Sequence, residues 1–150
     1  MTRQPMRWLL ASLLAAFSAT AGATGTIHAS HAWIRLLPGD LPAGAYVTLV
    51  NDGDKPMALV GATSDAYSGI MLHHSSSEGG MSRMTMAASV PVPAHGQAAL
   101  APAGYHLMLM HAAKPVSAGE RVKLTLDFAD GSSLPVEFVA RPANAIDDTH

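Results

Sequence analysis

Two histidines and two methionines, His73, Met84, His106 and Met108, set the chemistry this chain can perform. They fall in the densest His/Met region of the sequence, together with Met71, His74, Met81, Met86, Met110 and His111. Thioether sulfur is a soft donor and imidazole a borderline one, a combination that suits Cu(I) better than the hard ions. All four donors are neutral, so bound Cu(I) leaves a single positive charge on the complex, and a divalent ion leaves two. Without thiolate or carboxylate compensation, the set should discriminate against the divalent ions.

The chain contains no cysteine. That excludes a blue-copper electron carrier, whose copper needs a Cys thiolate, and a thiol–disulfide reductase, which needs a reactive thiol pair. It also leaves the fold to stand on its core without disulfides.

Taken singly, a methionine on a strand is usually core filler and a histidine usually a satisfied polar group. His74 points away from His73 on a strand, and Met81 lies three positions from Met84; both are held as possible outer ligands. Met86 and Met110 are read as hydrophobic surround. His28, His31 and His150 stand apart as candidates for a second site. The spacing of His28 and His31 puts them on opposite faces of a strand, which favours ordinary polar roles.

Elements of period two must position these groups. Residues 104–111 (GYHLMLMH) read as a strand with Tyr105, Leu107, Leu109 and His111 on one face and His106, Met108 and Met110 on the other. His106 and Met108 are then about 6.6 Å apart at the Cα atoms, and both can reach one ion. Residues 70–74 form a short strand, Ser75 to Gly80 a flexible tip, and Met81 to Met86 the return, so a hairpin draws His73 and Met84 together.

Elsewhere the pattern predicts a strand from Ile27, with Ile27, Ala29, His31 and Trp33 on one face, and a loop over Leu36–Gly44. A strand over Ala45–Val50 follows, with a hairpin turn at Asp52–Gly53 and a returning strand over Met57–Ala62. Gln97–Leu100 is extended. Arg121–Phe128 alternates strictly, turning at Asp130–Gly131 into a last strand over Leu134–Val139. Residues 141–150 read as a polar, frayed tail. With no helical repeat and turns at short intervals, the expectation is an all-β, antiparallel Greek-key β-sandwich of seven to nine strands.

The first 23 residues read as a cleavable signal peptide. Arg3 and Arg7 precede the apolar run Trp8–Phe17, and small residues follow, offering cleavage after Ala21 or Ala23. The run is too short to span a bilayer, which takes about 20 apolar residues. The expectation is an exported protein whose single domain occupies residues 24–150, with no stable membrane insertion after cleavage. The formal net charge of −2 loses the two arginines with the leader, a balance that argues against a nucleic-acid partner.

Ten residues separate His73 from Met84, twenty-one separate Met84 from His106, and one separates His106 from Met108. This H-x10-M-x21-H-x-M spacing resembles the metal motif of the periplasmic CuA copper chaperone family (PCuAC). The resemblance extends to Ala32-Trp33-Ile34-Arg35, to Gly44-Ala45-Tyr46-Val47-Thr48-Leu49 and to Gly104-Tyr105-His106-Leu107-Met108-Leu109-Met110, and covers most of residues 27–140.

It implies a cupredoxin-like sandwich in the periplasm that binds Cu(I) through His73, Met84, His106 and Met108. Such a protein is no enzyme; it delivers copper toward the CuA centre of cytochrome c oxidase. The partner is then the oxidase subunit carrying CuA, or another periplasmic copper carrier. A copper storage or resistance protein without a dedicated acceptor is the alternative. Some relatives continue into a His/Met-rich C-terminal tail, a composition residues 141–150 do not have.

Overall fold

A computed structural model of the chain describes residues 26–147; the signal segment, its cleavage positions and His150 lie outside them. Among the described residues there are ten strands: β1 (Ile27–Arg35), β2 (Ala43–Asn51), β3 (Met57–Thr63), β4 (Tyr67–Glu78), β5 (Met81–Met86), β6 (Val90–Val92), β7 (Gly96–Leu100), β8 (Tyr105–Ala112), β9 (Arg121–Phe128) and β10 (Ser133–Arg141). Their hydrogen-bonded order is β5-β4-β8-β2-β1-β10-β9-β3-β6, with β7 also paired to β2. Among the described residues no helix is long and apolar enough to cross a membrane.

The core follows from alternation. Val122, Leu124, Leu126 and Phe128 of β9 are buried, as are Phe138 and Ala140 of β10 and Leu59 of β3. They join Ala45, Val47 and Leu49 of β2, Leu72 of β4, and Leu107 and Leu109 of β8 in one cluster. Each of these strands turns its other face away from the core, as a sheet packed on one side must. The site lies on the outward face of β5, β4, β8, β2 and β1.

Several expectations change, and the strands number ten where seven to nine are expected. The sheet is mixed, because Trp33, Ile34 and Arg35 of β1 pair in parallel with Val139, Ala140 and Arg141 of β10; all other pairs are antiparallel. Asp52–Gly53 does not close a hairpin. β2 is paired with β1 on one side and with β7 and β8 on the other, so β3 pairs instead with β6 and β9. Buried Asn51 fixes this corner: its Nδ2 donates to the Lys55 and Val92 carbonyls, and its Oδ1 accepts from Gly53 N–H.

The proposed flexible tip is also shorter than its composition suggests. Ser75, Ser76 and Ser77 pair with Met84, Arg83 and Ser82, and the turn is confined to Gly79 and Gly80, with φ of 58° and 78°. Positive φ at both central residues is the two-residue type I′ geometry that glycines tolerate.

Finally, β1 does not keep one face throughout. The register slips between Ser30 and Trp33, where His31 has φ 51°. The bulge leaves Ile27, Ala29 and Ile34 on the core, and turns Trp33 outward onto Tyr46 and Ala145. Ala145 is only 5% exposed, so the stretch around this residue is docked there rather than frayed.

Candidate metal centre

Antiparallel pairing assembles the site from three strands. His73 lies directly opposite His106 on one side and opposite Met86 on the other, and Ser75 lies opposite Met84. Directly paired residues share a face, so His73, His106, Met84 and Met86 all point to the outer surface of the sheet. Met71 pairs with Met108 in the next row. The structure thus brings the four motif residues onto one continuous face, with Met84 diagonal to His73 across the hairpin.

The two imidazoles meet edge to face, with ring centroids 5.7 Å apart and planes at 74°. His106 is 7% exposed, and its Nδ1 lies 3.4 Å from the Gly104 carbonyl. A contact of that kind orients a ligating ring and leaves Nε2 for an ion. Both ring nitrogens of His73 are buried and have no hydrogen-bond partner among the described residues. An imidazole left so costs on the order of 1–3 kcal/mol, a penalty a coordinated ion would remove.

Burial holds the His106 pKa below its ordinary 6.5, and the neighbouring His73 and Arg35 add to this, against the Gly104 contact. A histidine with a depressed folded pKa binds fewer protons folded than unfolded, so stability rises with pH in that interval. The metal-free protein is therefore expected to keep the His106 contribution above about pH 6.5 and to lose it as the pH falls from there through the folded pKa. Denaturant unfolding across that range checks it: His106→Gln should flatten this part of the profile.

The surroundings divide the site into an open and a closed side. β5 ends the strand order, and Met84 and Met86 are 54% and 71% exposed. Met86 is thus an exposed thioether facing His73, not hydrophobic surround. Met110 is half-buried and lies against Gly69. On the closed side stand Tyr46 and Trp33, both buried, with ring centroids 4.7 Å apart; the Tyr46 ring lies 6.4 Å from His106. Burial raises the Tyr46 pKa, partly offset by Arg35.

Both possible outer ligands fall elsewhere. His74 occupies the opposite face of β4 and stacks on Tyr105 at 4.5 Å. Met81 pairs with Glu78 at the hairpin end, on the face of β5 away from Met84 and Met86. The reason is the strand's own period of two: neither residue has the parity of its motif neighbour. His111 does not continue the inward face of β8; it is exposed with φ 57°. His28 is paired with Asp52 at 2.9 Å, and no group of three or more His, Asp or Glu able to hold a metal ion occurs among the described residues.

The chain matches the LpqE-like lipoprotein family model over residues 27–140. It belongs to the LpqE-like, or PCuAC, family. Lxx21020 of Leifsonia xyli subsp. xyli (strain CTCB07), named a lipoprotein, is 37% identical over 111 residues, 73% of this chain and 66% of its own length; the chain thus spans just under two thirds of that relative. The solution structure of CuI-DR1885 from Deinococcus radiodurans is similar at TM-score 0.63 and 34% identity, covering 85% of each chain. The copper-bound PCuAC domain from PmoF2 matches in fold, with TM-score 0.65 and 24% identity over 79% of this chain and 94% of that one. The PCuAC fold is the cupredoxin-like β-sandwich, here with its one parallel strand pair.

In this PCuAC domain the residues that the motif omits are Tyr46, Arg35 and Met86. Sequence parity could have placed Met86 with Met84, but its position opposite His73 needed the register. Gly44 is the further structural requirement. A Cβ there would lie 2.8 Å from Tyr46 Oη, closer than van der Waals contact allows. Gly44→Ala is expected to push the tyrosine off its seat and cost about 1–3 kcal/mol, read as a lower denaturation midpoint at unchanged m value.

Proposed function

We propose that this PCuAC domain is a periplasmic Cu(I) chaperone. It holds one Cu(I) between His73, Met84, His106 and Met108, and passes it by ligand exchange toward the CuA centre of cytochrome c oxidase. The observation that carries this reading is the His73 imidazole, whose two ring nitrogens are buried with no hydrogen-bond partner among the described residues and which faces a second imidazole within a thioether surround. The donor set fits the ion: imidazole and thioether suit Cu(I), and no carboxylate occurs among the residues this face of β2, β4, β5 and β8 presents.

The layout also suits release. Met84 sits on an exposed terminal strand, so an acceptor's ligands can enter there while the thioether departs, and the two imidazoles hold the ion until last. Copper bound to the relatives CuI-DR1885 and the PmoF2 domain supports the same choice of metal. A relative named a lipoprotein supports export.

An anaerobic titration of the chain with Cu(I) against a chromophoric competitor tests the first half. Uptake of one equivalent is expected, and no competition would overturn the reading. Mixing the loaded protein with a soluble CuA domain tests the second half. Copper should appear in the acceptor; firm binding without transfer would favour the storage alternative.

A further inference from the structure

The closed side of the site holds a fixed positive charge. Gly44 of β2 lies opposite Arg35 of β1 on one side and opposite Met108 of β8 on the other, so Arg35, Gly44, Met108 and Met71 form one row across four strands. Gly44 contributes no side chain, and the Tyr46 hydroxyl occupies the space above it. Arg35 Nη2 donates to that hydroxyl at 2.9 Å, and the guanidinium carbon lies 5.5 Å from the centre of the Tyr46 ring. The cation is clamped in this row, two strand spacings, or about 10 Å of backbone, from Met108.

We propose that Arg35, held by Tyr46 above Gly44, sets the oxidation-state preference of the site by disfavouring Cu(II) relative to Cu(I). This rests on the copper reading above. The argument is electrostatic. Four neutral donors leave the whole ionic charge on the complex, and a guanidinium, which stays charged at any pH of interest, repels a doubly charged ion twice as strongly as a singly charged one. The residues that β2, β4, β5 and β8 present on this face include no carboxylate to offset that repulsion at the ion. Arg35 is a positioning charge rather than a ligand, and the selectivity of the donors themselves is separate from it.

The test is a redox titration of the copper-loaded chain and its Arg35→Gln, Arg35→Lys and Tyr46→Phe variants. Ferricyanide takes one electron from bound Cu(I), giving ferrocyanide and bound Cu(II), which is followed by its electron paramagnetic resonance. At a fixed ferricyanide-to-ferrocyanide ratio, Arg35→Gln should raise the Cu(II):Cu(I) ratio roughly threefold to tenfold. Tenfold corresponds to about 59 mV for a one-electron couple. Arg35→Lys should keep the parent ratio, and Tyr46→Phe, which frees the guanidinium without removing it, should fall between. An unchanged ratio in Arg35→Gln, or equal shifts in Gln and Lys, would overturn the proposal and leave Arg35 a packing residue. Failure of the parent to take up Cu(I) would instead remove the copper reading on which it stands.

Discussion

His106→Ala is expected to lower Cu(I) affinity by roughly two to three orders of magnitude. Binding of zinc at a four-ligand structural site is worth about 10–16 kcal/mol; on that scale one ligand's share is about 2.5–4 kcal/mol, and each 1.4 kcal/mol is tenfold in affinity. His106 supplies more than a donor, because its ring packs edge to face on His73 and separates it from Tyr46. Its loss leaves His73 with fewer constraints as well as the ion with fewer ligands. His74→Ala is the matched control: its ring lies on the opposite face against Tyr105, and Cu(I) affinity should be unchanged. A competitive Cu(I) titration of both variants beside the parent checks the pair. Parent-like binding by His106→Ala would rule out this imidazole as a ligand.

The second large effect is on stability. Leu107 sits between the two ligating positions of β8 and points the other way, fully buried beneath the site. It is paired with Leu72 of β4 and Ala45 of β2, so it anchors the strand that carries two of the four motif residues. Leu107→Ala should cost about 2–5 kcal/mol through lost apolar contact and a cavity that neighbours fill only in part. Urea unfolding of the metal-free protein gives this number. Cu(I) binds the folded state alone and should restore part of the loss in proportion to the logarithm of its free concentration. A cost under about 1 kcal/mol would mean that β8 is held by its hydrogen bonds and not by this side chain.

The two predictions separate the faces of one strand. Period two sends His106, Met108 and Met110 to one side and Leu107 and Leu109 to the other, so five consecutive residues of β8 serve both the candidate site and the core. The same logic explains the placement of His74 and Met81. Each is a chemically suitable donor, adjacent in sequence to the motif, and each has the wrong parity to share its face.

Residue order alone determined a good deal. Strict alternation over Arg121–Phe128 marked the buried face of β9, because apolar side chains at every second position have one way to leave water. The spacing of His73, Met84, His106 and Met108 picked out four residues that the structure sets on one face, and the absence of cysteine narrowed the chemistry they could support. The Ser/Gly stretch 75–80 foretold a reversal that draws Met84 toward His73, although the turn itself takes up only Gly79 and Gly80.

Tertiary structure decided what depends on neighbours distant in the chain. Asp52–Gly53 reads as a hairpin turn, yet the hydrogen bonds of β2 are taken by β1, β7 and β8, and β3 must pair elsewhere. The bulge at His31 is invisible as a pattern, since one inserted residue inverts every later side chain; it alone brings Trp33 and Arg35 to the metal face. Only the register sets Met86 against His73 and Arg35 in line with Met108. A sequence records which residues alternate along a strand, whereas which strands lie side by side depends on the packing of the whole core.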